Sequence, residues 1–288
     1  MCEHDDFDEF ARRGALTRRQ FGAMALGTGL AAALPQLALA TETVGADLTI
    51  KTPDGIGDAF FVHPASGAHP AVLMWPDIFG LRPAFKDMAT RLAAAGYSVL
   101  VVNPFYRSQK APTAPEHADF DDPPTRDALM ALKQSLTPAS AATDANAFVE
   151  FLISQPSVDA KRKIGTMGYC MSGPIALRTA AARPDRIGAV ATFHGGGLVT
   201  KDPDSPHLLI AQTKAHYLIA IAANDDERDP GAKTALRESF DRAHLDAEVE
   251  VYAGTQHGWC PTDSAVYNHE QAEKAWARLL ALLNKATT

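Results

Sequence analysis

The chain has 288 residues, 46% of them hydrophobic and 21% charged, with a formal net charge of −7 at pH 7. That balance suits one large globular domain, argues against a basic nucleic-acid-binding surface, and leaves no apolar run beyond the N-terminus for a membrane span. Three cysteines, with no Cys-x-x-Cys pair and no His-Glu-x-x-His helix, give none of the common zinc spacings, so neither a metal nor another cofactor is expected.

In chain order, Thr17-Arg18-Arg19-Gln20-Phe21 carries a twin-arginine pattern, a Gly/Ala/Leu-rich stretch follows from Gly22 to Leu39, and Ala38-Leu39-Ala40 supplies small residues at a cleavage position. This reads as a signal for the twin-arginine export machinery, cut after Ala40, which places the mature chain in a bacterial periplasm. A membrane anchor is the competing reading, but Pro35, Gln36 and the many small residues dilute the apolar span it needs. A single domain over residues 41–288 is expected, as a monomer.

That domain opens with two strands, Asp47 to Lys51 and Gly57 to His63, joined by the turn residues Pro53-Asp54-Gly55. Apolar strands and helices then alternate: a strand over Ala71 to Trp75, a helix over Phe85 to Ala95 stopped by Gly96, a strand over Ser98 to Asn103, and a helix over Ala142 to Ser154. Strands at Ile164 to Gly168, Ile187 to Phe193, Tyr217 to Ala223 and Val249 to Tyr252 continue the series, with helices after the first of these, over Ala232 to Ala243 and over Ala265 to Asn284. This βαβ rhythm predicts an α/β fold with a mostly parallel sheet covered on both faces. Ser108 to Pro138 has weak periodicity and reads either as a loop with a short helix over a pocket, where Phe120 and Leu136 touch a ligand, or as a plain surface excursion. His194-Gly195-Gly196-Gly197 reads as a tight backbone path or as part of the pocket floor.

The stretch Gly168-Tyr169-Cys170-Met171-Ser172-Gly173 lies where a strand must turn sharply into a helix, with small residues on either side of a cysteine. It reads as a nucleophile elbow: the turn pushes the sulfur out of the sheet's end, and the N–H groups that open the next helix favour a thiolate and an oxyanion. A buried structural cysteine is the bland alternative. An acid after a later strand and a histidine after the last strand complete such a site in that chain order. Asn224-Asp225-Asp226-Glu227-Arg228-Asp229-Pro230 supplies candidate acids in a polar loop, and His257 stands in the loop Ala253 to Trp259.

With these residues in place the chain resembles the dienelactone hydrolase family, the carboxymethylenebutenolidase group of α/β-hydrolases with a cysteine nucleophile. The resemblance implies an α/β-hydrolase fold, a Cys170-His257-Asp226 triad, and hydrolysis of a carboxylic ester or lactone through an acyl-cysteine. Asp226 is chosen over Asp225 because the family's acid stands four residues before a proline, here Pro230. His257-Gly258-Trp259 matches the family's histidine segment, and Ser172 replaces a family glycine. The segment Asp77-Ile78-Phe79-Gly80 matches a stretch in which an acid contacts the resting thiol, so Asp77 is a thiol-orienting candidate. It also assigns the backbone N–H groups of Ile78 and Met171 to the oxyanion hole. Asp77 can equally cap the helix that begins near Pro83. Arg107, in Pro104-Phe105-Tyr106-Arg107, and Trp259 become substrate-orienting candidates. The arginine that grips a carboxylate in true dienelactone hydrolases has no counterpart in Trp259-Cys260-Pro261-Thr262. Two rivals remain at this stage: a ligand-binding protein with Cys170 and Cys260 joined in a disulfide, and a cysteine peptidase.

Overall fold

The computed structural model describes residues 41–287; the expected export signal and its cleavage site lie outside the described residues. Eight strands form one sheet in the order β1-β2-β4-β3-β5-β6-β7-β8. The first two, β1 (Thr43–Thr52) and β2 (Gly55–Pro64), pair antiparallel as a hairpin closed between Thr52 and Gly55. β2 runs antiparallel to β4 (Ser98–Val102). From there β3 (Ala71–Trp75), β5 (Ile164–Tyr169), β6 (Ile187–Phe193), β7 (His216–Ala222) and β8 (Ala247–Tyr252) are all parallel.

Every residue of β3, β4, β5 and β6 is buried, which is why these strands read as mostly apolar runs and not as alternating ones, with Ser98, Thr166 and Thr192 their polar residues. One face is covered by α3 (Pro138–Ile153), α4 (Gly173–Ala182) and α6 (Ala232–Ala243), through Phe148, Leu177, Leu236 and Phe240 among others. The other face is covered by α1 (Pro83–Ala94) and α7 (His269–Ala286), through Phe85, Leu92, Leu279 and Leu283. Each fully buried side chain of this kind contributes about 1.5–3 kcal/mol, so two such layers hold the sheet firmly.

Local chemistry sets where the helices begin. Pro138 takes the first turn of α3, while Thr137 and Ser140 form a capping box. α7 starts at His269 and not near Ala265, because the Asn268 side chain accepts from the Gln271 N–H and so takes the N-cap. The weakly periodic stretch after Ser108 contains α2 (Pro123–Gln134), capped by Asp122, whose side chain accepts from Thr125 N–H. This helix is amphipathic with a narrow buried stripe, Leu129 being its buried residue, which explains the faint period in the sequence. Among the described residues, no helix is long and apolar enough to cross a membrane.

The chain moves outward from β3 to β4 and then returns to place β5 on the other side of β3. Connections therefore diverge at the carboxyl ends of β3 and β5, and such a switch point leaves a crevice there. Asp77 and Ile78 follow β3, and Cys170 follows β5.

Candidate active site

Cys170 opens a short 3-10 turn (Cys170–Ser172) between β5 and α4. Its φ of 53° lies in the left-handed region, a strained backbone that non-glycine residues rarely adopt outside functional turns. The turn is tight enough that a Cβ on Gly168 would sit 2.1 Å from the Ser172 carbonyl oxygen, and one on Gly173 would sit 2.8 Å from Gly195 Cα. Both glycines are thus required by close approach of backbone to backbone. Ser172, which the sequence presents only as a small residue, also donates its hydroxyl to the Pro76 carbonyl. That bond ties the elbow to the end of β3.

The His257 imidazole lies close enough to Cys170 for the two to interact electrostatically. Its Nδ1 pairs with Asp225 Oδ2 at 2.7 Å. Burial opposes charge on this ring, but the hydrogen bond to Asp225 and the interactions with Asp225 and Cys170 outweigh it, and the pKa is pushed up to about 10. At neutral pH the ring therefore holds its proton. Asn224 and Thr255 join the two loops: Asn224 Oδ1 accepts from the His257 backbone N–H at 2.9 Å, and Thr255 Oγ1 accepts from Ala223 N–H at 3.1 Å.

Asp226 is not the imidazole's partner. The expected polar loop begins as a short helix, α5 (Ala223–Arg228), and adjacent residues on a helix point about 100° apart. Asp225 thus faces His257 while Asp226 turns away to pair with Lys233 at 2.6 Å. A proline four residues on cannot report this choice, because the helical turn makes it.

Asp77 is buried, yet its carboxylate does not engage the thiol. Arg82 grips both of its oxygens, at 2.6 and 2.9 Å, and also holds Asp263. Nor does Asp77 cap α1, whose N-cap position is Arg82. It instead organises the turn after β3: Phe79 N–H donates to its Oδ1 and Gly80 N–H to its carbonyl. The backbone N–H of Ile78 has no acceptor among the described residues. Arg82 and Asp263 stand far apart in sequence, and nothing in the chain marks them as partners.

Arg107 is likewise occupied. Its guanidinium holds Asp54 in the β1–β2 turn and the buried Asp144 on α3, with contacts of 2.6–3.0 Å. It pins the hairpin to α3 and is not free for a substrate carboxylate. Trp259 is fully buried, stacked on Tyr252 and edge-on to His194, so it supports the His257 loop from beneath. His194 has a φ of 43° and is buried, with its ring 5.0 Å from that of His257. Burial, reinforced by the neighbouring imidazolium, pushes its pKa well down and keeps it uncharged. Of the His-Gly-Gly-Gly path, His194 is thus the residue that packs against the His257 imidazole. Phe120 is exposed, whereas Leu136 packs into the apolar cluster beside Cys170. Cys170 and Cys260 are both free thiols, the latter buried.

Comparison with known proteins gives the family and the fold. The model of the dienelactone hydrolase family matches residues 58–287. A carboxymethylenebutenolidase of Rhodococcus opacus is 26% identical over 243 residues, covering 83% of this chain and 90% of that protein. Among solved structures, a candidate dienelactone hydrolase of Klebsiella pneumoniae superposes with a TM-score of 0.74 at 23% identity, covering 85% of this chain and 100% of that one. A dienelactone hydrolase-like promiscuous phosphotriesterase from metagenomic libraries gives 0.71 at 20%, covering 85% and 99%. At such identities the structural matches speak to the α/β-hydrolase fold, while the family match spans the elbow, the imidazole and the acid loop. The chain belongs to the dienelactone hydrolase family and is a hydrolase.

Proposed function

We propose that this hydrolase cleaves carboxylic esters or lactones through an acyl-cysteine formed on Cys170. The observation that carries the reading is the arrangement of Cys170, His257 and Asp225: a cysteine on a strained elbow, an imidazole near it, and a carboxylate paired with that imidazole's Nδ1. The thiolate adds to the substrate carbonyl, and the developing oxyanion takes the backbone N–H groups of Ile78 and Met171. The imidazolium gives its proton to the departing alkoxide, the carbon–oxygen bond breaks, and the acyl group stays on sulfur. Water, deprotonated by the now neutral imidazole, then releases the acid and restores the pair. Thiolate is a better leaving group than an amide nitrogen, so amides expel sulfur from the tetrahedral adduct and esters, thioesters and strained lactones are favoured. The name of the Rhodococcus relative supports including a lactone ring among the substrates.

The test is hydrolysis of p-nitrophenyl acetate and a cis-dienelactone, with and without reductant, by the protein and its Cys170→Ala variant. Activity lost in the variant supports the reading; activity retained in the variant, or absent from both, refutes it. We also propose, from Arg18-Arg19 and the small-residue stretch ending at Ala40, that the enzyme is exported by the twin-arginine route and works in the periplasm. Retention in the cytoplasm of a strain that expresses the intact chain would refute this.

A further inference from the structure

We infer that the acyl half of the substrate is apolar and uncharged and lies on the β3 and β4 side of Cys170, beneath α2; this rests on the acyl-cysteine reading above. Strand order sets the side. Across the sheet the carboxyl ends follow as β4, β3, β5, β6, β7, β8, so Phe105 and Ile78 flank Cys170 on one side while Asp225 and His257 approach it from the other. A departing alkoxide must collect its proton from the imidazole, so it leaves toward β7 and β8. The acyl group then extends the opposite way.

What it meets there is hydrocarbon. Ile78, Phe105 and Met171 form a buried cluster with Leu129 of α2; Phe79 and Met130 pack on it, and Cys170 itself leans on the same group. Two arginines near that side are already spent: Arg82 is clamped by Asp77 and Asp263, and Arg107 by Asp54 and Asp144. The stretch after the base, Gly258 to Thr262, carries no positive side chain. A carboxylate placed against Leu129 and Met171 would lose its water and gain no charge partner, whereas a methyl group in the same position gains by leaving water. Of the two cations on α2, Lys133 is exposed to solvent and Arg126 is the one that competes with this reading. Arg126 stands one helical turn before Met130 on α2, half-buried, with the exposed Asp122 as its electrostatic neighbour. It is therefore the control.

The experiment compares p-nitrophenyl hexanoate with p-nitrophenyl hemiadipate, which share a leaving group and differ in a terminal methyl against a carboxylate. Steady-state rates are taken on the full chain under reductant, with uncatalysed hydrolysis subtracted. The expected kcat/KM favours hexanoate by about tenfold or more, since the site rejects a group whose desolvation it does not offset. Arg126→Ala should leave that ratio unchanged, and Leu129→Ala should raise the rate on decanoate relative to hexanoate by enlarging the apolar wall. Equal or faster hydrolysis of the hemiadipate overturns the inference, and if that advantage disappears in Arg126→Ala then α2 carries an anion site instead. Cleavage of neither ester overturns the acyl-cysteine reading and this inference with it, an outcome distinct from a reversed preference.

Discussion

Asp225→Asn and Asp226→Asn form a pair of neighbouring substitutions that should behave oppositely. In the first, His257 Nδ1 loses a charge-assisted hydrogen bond of 2.7 Å. Bonds of that type contribute about 1.5–3 kcal/mol, which alone corresponds to about 10- to 150-fold in rate. The amide brings a second penalty, because its NH₂ can donate to Nδ1 and stabilise the tautomer whose proton faces Cys170. That form cannot accept the thiol proton, and in the serine-hydrolase version of this triad the corresponding change costs about 10⁴ in kcat. A fall in kcat of about 10²- to 10⁴-fold on p-nitrophenyl acetate is expected for Asp225→Asn. Asp226→Asn breaks only a pair with Lys233 in which both side chains are partly exposed, so activity should stay within about threefold and stability should change by about 1 kcal/mol or less. A large loss in Asp226→Asn with Asp225→Asn unaffected would refute the assignment.

The same substitution has a pH signature. A folded-state pKa for His257 raised from 6.5 to about 10 adds stability that is complete below pH 6.5 and is lost as the pH climbs through about 10. Asp225 is the first of the partners that raise it, so in Asp225→Asn the loss should be complete at a lower pH. Urea denaturation at intervals between pH 6 and pH 10.5 reads this directly, and coincident stability profiles for the two proteins would contradict the proposed coupling.

Two other outcomes follow from groups around the site. Arg107→Ala strands the buried Asp144 carboxylate, with only Tyr106 Oη still donating to it, so a loss of about 3 kcal/mol in chemical denaturation is expected while kcat/KM of the folded fraction holds within about threefold. Selective loss of activity on carboxylate-bearing esters, with stability unchanged, would instead restore Arg107 as a substrate ligand. Gly168→Ala drives a methyl group to 2.1 Å from the Ser172 carbonyl oxygen, a backbone atom that cannot swing aside. Overpacking of this sort costs about 1–3 kcal/mol or more, and because Ser172 is tied to Pro76 the displacement should also lower kcat. Wild-type melting and turnover in this variant would show the elbow to be looser than the packing implies.

The features legible in the chain are those with a short-range cause. The unbroken apolar run at β3 and the mostly apolar runs at β5 and β6 announce strands buried on both faces. Glycines around Cys170 announce a turn too tight for side chains, and the chain order of cysteine, acid loop and histidine follows from where strands end. The choice between Asp225 and Asp226 belonged to the tertiary structure, because it depends on α5 starting at Ala223 and on Lys233 arriving to claim the second carboxylate. So did the fates of Asp77 and Arg107. Their partners, Arg82 with Asp263 and Asp54 with Asp144, come from separate elements that only folding brings together. Local sequence encodes backbone conformation and exposure because those depend on near neighbours; which charge pairs with which is decided by distance in space, and that exists only once the sheet has formed.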